Sequence, residues 1–320
     1  MSPQLLFVIR RLLLTVPVLL AMSIFVFLMI RLVPGDPVRI MLGFRANPTN
    51  VAIIRHELGF DRPLPEQYLS WLGGVLHGDL GQDFITHASL TELLAQRLPV
   101  TLELTVLAML VSLVLGIPLG VLGAVGHRLT VRLTDVFVVA GVSIPAFWLG
   151  IMLVLLFTGV LRVLPPSGYI PFTVDPLENV RHMILPVLTL AAGEAAYILR
   201  TTKAVMEEVL ESPFIAFLRA KGITERSIVF KHALRNAAVP IVTIVGIQFG
   251  ALLGGAIVIE TLFSLPGVGL LIVSAINERN YAVVQGGVLT VATLFILVNL
   301  ATDLLYGVLD PRTAAGGQVS

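Results

Sequence analysis

Hydrophobic positions in this chain fall into long unbroken runs, unlike the short periodic patches of a soluble domain. A helix needs about 20 apolar residues to cross the hydrocarbon core of a bilayer. Five runs are of that order: Leu12–Ile30, Thr101–Leu122, Val136–Leu156, Val239–Ile259 and Val283–Leu305. A sixth, Met183–Leu199, is shorter and carries Glu194. The pattern predicts an all-α integral membrane protein with about six transmembrane helices.

Composition agrees. Hydrophobic residues make up 56% of the chain and charged ones 13%, where a soluble domain is about a quarter charged. The formal charge of +1 offers no basic patch for nucleic acid. With no Cys, disulfides and thiolate metal sites are excluded. The six His residues are scattered, with no two at i and i+4 of a helix, so no metal site is expected.

The first run follows Arg10-Arg11 and is longer than the core of a signal peptide. It ends at Arg31-Leu-Val-Pro-Gly-Asp-Pro37 without a small-x-small cleavage pattern. An uncleaved signal-anchor is expected. Lys and Arg in short flanks set orientation. Arg200, Lys203, Arg219, Lys221, Arg226, Lys231 and Arg235 concentrate in one loop. Arg39, Arg45, Arg55 and Arg62, by contrast, are interleaved with acids over a long segment. Both termini are therefore expected in the cytoplasm, with 34–98, 160–182 and 262–282 outside. The expected organisation is a first helix within 1–32, an extracytoplasmic helical segment 33–100, a core 101–310 with a cytoplasmic hairpin 207–236, and a tail 311–320. Within the outer segment, Pro65–Leu76 puts Tyr68/Leu69, Leu72 and Val75/Leu76 on one helical face, with Pro65 suited to a first turn. This predicts a small helical cap that acts as a tether or as a docking surface.

Catalytic motifs are missing. The lysines are Lys203, Lys221 and Lys231, none of which follows a Gly, so no P-loop exists to hold a nucleotide. There is no Gly-x-Ser-x-Gly, no His-Glu-x-x-His and no paired membrane aspartates. Uphill transport by this chain would need an ion gradient or a separate ATPase.

The charged loop has its own grammar. Ser212-Pro213 reads as an N-cap followed by Pro at the first helical position. Phe214, Phe217, Leu218 and Lys221 are expected on one side of the helix that follows. Gly222 fits the left-handed residue that closes a helix, and Thr224 can cap a second one that returns through Ile228, Val229, Ala233 and Leu234. A helix–turn–helix with its tip near 219–226 results; an ordinary interfacial loop is the plainer alternative.

Ala220-Lys-Gly222 with His232-Ala-Leu-Arg-Asn-Ala-Ala-Val-Pro240 resembles the cytoplasmic "EAA" loop of ABC-importer permeases, in the form used by the dipeptide/oligopeptide/nickel family. The resemblance runs along nearly the whole chain. It includes Pro34-Gly-Asp-Pro37, Leu58-Gly-Phe-Asp-Arg-Pro-Leu-Pro65, Gly78-Asp-Leu-Gly81 and Pro145-Ala-Phe-Trp148. Gly246-Ile-Gln-Phe-Gly250, Phe263-Ser-Leu-Pro-Gly-Val-Gly269 and Asp310-Pro-Arg312 complete the series. It implies a type I importer permease fold in a bacterial or archaeal cytoplasmic membrane. It also implies import of di- or oligopeptides, with nickel, glutathione or a sugar conjugate open. Implied partners are a second homologous permease, cytoplasmic ABC ATPases carrying ATP and magnesium, and an extracytoplasmic binding protein. This chain itself would be no enzyme and hold no cofactor. The residues implied to meet the ATPase are Phe217, Leu218, Arg219, Ala220, Lys221, Gly222, Thr224 and Glu225. Ala216 stands where the motif has its leading Glu, and Leu234-Arg235 where it has Leu-Pro, so no Glu-based salt bridge to the ATPase is implied at 216.

Within the spans, Gly246, Gly250 and Gly254 form a stripe that lets helices approach closely. Packing inside this subunit and packing against a second permease both fit; the resemblance favours the latter. Glu194 would cost about 3 kcal/mol or more facing lipid, so it should face protein or water. A pathway role, pairing with Arg200 or a partner subunit, and a place near an interface all stay open. Gln248 and Asn299 are further pathway candidates and fit interhelical hydrogen bonding better. Asp303 and Glu103 lie near span ends, within reach of headgroups. An ion-driven secondary transporter is the alternative, yet no inverted halves or midplane ion site are evident. A non-transporting scaffold leaves the ordered motifs unexplained.

Overall fold

The structure, a computed structural model, describes residues 3–32, 38–39, 46–57 and 59–309. The Pro34–Pro37 and Asp310–Arg312 strings, Leu58 and the tail lie outside the described residues. Among the described residues the chain is helical: α1 (Pro3–Leu32), α2 (Pro48–Glu57), α3 (Leu64–Leu76), α4 (Leu90–Val125), α5 (Arg128–Ser143) and α6 (Ala146–Val154). After these come α7 (Pro176–Leu210), α8 (Pro213–Ala220), α9 (Glu225–Ser227), α10 (Leu234–Phe263), α11 (Val268–Asn277) and α12 (Tyr281–Leu309). Among the described residues, five helices are long and apolar enough to cross a membrane, and a sixth span arises if α5 and the α6 segment count as one.

The expected continuous span Val136–Leu156 is instead broken. α5 and the segment from Ala146 to Val160 meet at 101°. Pro145 disfavours helical backbone at the residue before it, and Ile144 is extended at φ −82° and ψ 120°. The span Met183–Leu199 is longer than expected. Asp175 accepts from the amides of Leu177 and Glu178 (3.0 and 3.1 Å), Pro176 opens the first turn, and α7 then runs 35 residues.

Two compact units divide the chain. One comprises 102–265 with 1–12 and 297–320. Its centre is α7, which packs on α5, α6 and α10. Small residues explain the close fit. Gly116 and Gly120 of α4 face Ile198 and Thr202, where an added methyl would collide, and Gly141 of α5 faces Ala196. Ser112 donates to the Ala191 carbonyl at 3.1 Å. Glu103, expected at headgroups, is held inside the protein. It accepts from Tyr169 Oη (2.7 Å) and from Asn179 Nδ2 (2.8 Å), while Asn179 also donates to the Ile170 carbonyl. Burial, and then the bond to Glu103, push the Tyr169 hydroxyl above its usual pKa.

The other unit comprises 13–101 and 266–296, so the segment 33–100 shares its unit with the end of α1 and with α11. Here α3 is pinned on α1 by Tyr68 and Trp71, whose rings lie 5.3 and 5.7 Å from that of Phe27. Ser23 and Tyr68 share a hydrogen bond of 2.8 Å. The helix starts in the expected turn, but its faces differ from expectation: Tyr68 and Trp71 meet α1, while Leu69 and Leu76 are 65% and 77% exposed. Farther along, Asp83 accepts from the Ile85 amide, the Thr86 hydroxyl and Asn280 Nδ2, and Thr101 Oγ1 accepts from the Val268 amide at 2.9 Å. These bonds join 77–101 to 266–296.

Candidate functional site

The charged loop folds as a hairpin fixed to three long helices. After Glu211, Ser212 takes extended backbone (φ −65°, ψ 149°) and Pro213 opens α8. Ser212 occupies the N-cap position, yet its hydroxyl donates back to the Val209 carbonyl at 2.7 Å and leaves the α8 amides alone. At the other end Gly222 has φ +78°, its amide bonds the Arg219 carbonyl at 2.9 Å, and the Ile223 amide bonds the Leu218 carbonyl at 3.2 Å. That pair of bonds, with Ile223 and Leu218 packed on one core, is a Schellman closure. Thr224 stands at the next N-cap position without a side-chain cap bond; its carbonyl receives the Ile228 amide at 3.0 Å. The return helix runs through α9 and a π-helical turn, Ile228–Ala233, into α10.

Of the four residues expected on one side of α8, Leu218 is buried and Phe214, Phe217 and Lys221 are exposed. Ile215 (0% exposed) and Leu218 (7%) point inward, while Phe214 (48%) and Phe217 (55%) are exposed. Leu218 is thus a core residue in this subunit; four residues from Phe214 and three from Ile215, it sits at the border between the exposed residues and the buried ones. Lys221 Nζ lies 4.5 Å over the Phe217 ring, and the Phe214 ring meets His232 edge-on at 6.2 Å. Beneath them Val121 of α4, Met206 of α7, Ile228, Val229 and Ala233, and Ala237 and Ile241 of α10 complete one buried cluster. Sequence reasoning missed Ile215, the anchor of α8, although its spacing of three to Leu218 was visible.

Of the residues expected to meet the ATPase, Phe217, Arg219, Ala220, Lys221, Gly222, Thr224 and Glu225 are exposed. Arg219 and Glu225 bond each other: Nε to Oε1 at 2.7 Å and Nη2 to Oε2 at 3.4 Å. Beside this pair lies a groove of about 580 Å³ whose walls include Glu207, Glu211, Arg226 and Phe230. Glu207, Glu211 and Phe230 were missed from sequence, because only the folded hairpin brings them beside Arg226.

Among the intramembrane candidates, Gln248 Nε2 of α10 donates to Glu194 Oε2 of α7 at 2.7 Å, an amide partner where Arg200 was one expectation. Asn299 is half-buried on α12. The glycine stripe divides. Gly246 is buried against Thr302 of this same chain, Gly250 is buried, and Gly254 is open, with nothing within 4 Å of an added methyl. Glu260, at the end of α10, is fully buried and was not singled out from sequence.

The helical arrangement is that of an ABC-importer permease. The structure is similar to two inward-facing forms of the MetNI methionine ABC transporter, with TM-scores of 0.53 and 0.55 at 22% and 21% identity, each covering 68% of this chain and 96% of that one. Residues 116–315 match the family described as binding-protein-dependent transport system inner membrane component, and 4–105 match its N-terminal companion. The chain belongs to this family. It is 42% identical over 331 residues to the dipeptide transport system permease protein DppB of Escherichia coli (strain K12), covering 96% of this chain and 98% of that protein. It is 41% identical over 307 residues to a putative peptide transport system permease protein of Brucella abortus (strain 2308), covering 95% and 98%. The chain is therefore a multi-pass inner-membrane permease subunit of an ATP-driven importer. It is a translocation component, not an enzyme; the ATPase is a separate subunit, and a substrate-binding protein belongs to such a system.

Proposed function

We propose that this subunit imports di- or oligopeptides as one half of a pathway shared with a second homologous permease. Residues 213–235 dock on a cytoplasmic ATPase that binds ATP and magnesium, and both termini lie in the cytoplasm. The observation that carries the coupling role is the exposed arc Phe214–Phe217–Lys221 on a helix whose Ile215 and Leu218 are buried against three membrane helices. Apolar area presented at the tip of a hairpin packed on membrane helices suits a partner groove. Peptide as substrate is supported by the names and near-complete coverage of the relatives.

The test uses the Cys-free chain assembled with its partners. Single Cys at Lys231 should be protected from an impermeant thiol reagent in intact cells, and Cys at Leu76 should be labelled. Cross-linking of Phe217→Cys to the ATPase should be strong. Labelling of Lys231→Cys from outside, or peptide uptake persisting after deletion of every ATPase partner, would overturn the proposal.

A further inference from the structure

We propose that Arg219 and Glu225 are positioning residues, an internal strap that sets the angle at which α8 presents its exposed arc. The inference rests on the coupling role proposed for the hairpin and adds how that hairpin is held. All three guanidinium nitrogens of Arg219 are engaged within it. Nε and Nη2 donate to the two oxygens of Glu225, and Nη1 donates to the carbonyl of Leu210 at 3.4 Å. Leu210 is the last residue of α7, where helix carbonyls lack partners inside the helix. One side chain thus joins the end of a membrane helix, the exposed helix and the start of the return helix.

The strap does not hold the hairpin folded. Its side chains are 45% and 64% exposed, and pairs of this kind contribute little to stability. The buried contacts of Ile215, Leu218, Ile228 and Val229 do that work. Of α8 itself only Ile215 and Leu218 enter this core, and a line of two residues fixes where the helix sits more firmly than its roll about that line. The strap lies to one side of that line and resists the roll. A forked, planar donor suits this, since two parallel bonds fix direction as well as distance. Lys offers a point charge without a fork. The groove beside the strap supplies the competing state. Glu207 and Glu211 line the same wall as Arg219, so Arg219 released from Glu225 has other carboxylates to follow, and α8 rolls toward α7.

The experiment is a charge exchange in the full transporter, with its second permease, ATPases and binding protein, reconstituted in lipid. Substrate-stimulated ATP hydrolysis and peptide uptake are read together with the amount of assembled complex. Arg219→Glu and Glu225→Arg should each assemble normally and lose roughly two- to fivefold of the stimulated rate, the range available to an exposed pair. The double exchange should restore most of it, and Arg219→Lys should fall between. If both single variants are wild-type while Phe217→Asp is impaired, the strap is unimportant and the inference fails with the coupling role intact. If the double exchange is as poor as the single variants or worse, the two residues contact the ATPase directly and the inference also fails. If Phe217→Asp itself couples normally, the coupling role falls and takes the strap with it.

Discussion

Gly222 gives the sharpest test of the hairpin, because strain and contact separate cleanly there. Its φ of +78° lies in the left-handed region, which costs an L-residue about 1–2 kcal/mol. A methyl added at this position would meet nothing within 4 Å. The penalty therefore comes from the backbone alone, and side-chain size should not matter. A penalty of this size shifts the population holding the Schellman closure by a factor of roughly 5 to 30. Asn visits left-handed backbone far more readily than Ala, and a β-branched residue tolerates it least. Substrate-stimulated ATP hydrolysis should thus rank Gly222 above Asn, Asn above Ala and Ala above Val, with membrane insertion and pairing of the permeases unchanged. Recovery of ATPase with each purified variant should follow the same order. A ranking by volume, with Asn no better than Val, would show that the tip touches its partner directly at this residue. Wild-type rates in Gly222→Val would refute the argument outright.

Three further outcomes are expected. Gly246→Val should lower the thermal stability of the purified chain by about 1–3 kcal/mol through collision with Thr302, with partial rescue by Thr302→Ala; Gly254→Ala should be neutral there, and equal effects at both would contradict the packing. Glu194→Leu should cost about 1–3 kcal/mol more than Glu194→Gln by orphaning the Gln248 amide, and identical melting of the two would show the bond to be worth nothing. Burial would raise the Asp83 carboxyl, but the bonds from Ile85, Thr86 and Asn280 outweigh it and hold its pKa below the ordinary 3.8. The stabilisation is then present above that ordinary value and lost as pH falls through the lower folded one. Asp83→Asn should flatten this acid limb of the melting profile, and an unchanged limb would rule Asp83 out as its source.

The sequence was most readable where a single physical demand acts locally. Bilayer thickness made the long runs visible, and the left-handed closure of α8 could be placed at Gly222 because few other residues tolerate that backbone. The break at Pro145 escaped because apolarity continues through it, so a hydropathy pattern sees one span where the backbone makes two. Leu218 was grouped with Phe214, Phe217 and Lys221 although it borders Ile215 as well; because Phe214, Ile215, Phe217 and Leu218 are all apolar, periodicity alone does not show which of them the core takes. Glu103 finds Tyr169 and Asn179 at sequence separations of 66 and 76 residues, beyond any local pattern. Arg219 and Glu225, only six residues apart across a predicted turn, could have been paired from sequence; both were assigned outward because the resemblance placed a partner there.

The hairpin core also explains how motion at the tip could reach the membrane. At 1.5 Å per residue, the 36 residues of α4 and 35 of α7 are each more than 50 Å long, well beyond a hydrocarbon core of about 30 Å. Val121 and Met206 lie near the ends of α4 and α7, helices long and apolar enough to cross the bilayer, and Ile241 lies on α10, which the return helix enters directly. The buried side of α8 packs directly on these helices, so a displacement of that side presses on them. Twelve residues separate Met206 from Glu194 along α7, about 18 Å, and Glu194 is bonded to Gln248 of α10. The two helices that grip the hairpin at one end are therefore joined by a polar bond farther along. On the proposed function, that bond is where a roll of α8 would first be felt inside the membrane. A relative shift of α7 against α10 by more than about 1 Å would break a 2.7 Å contact, which ties the state of the intramembrane pair to the position of the tip.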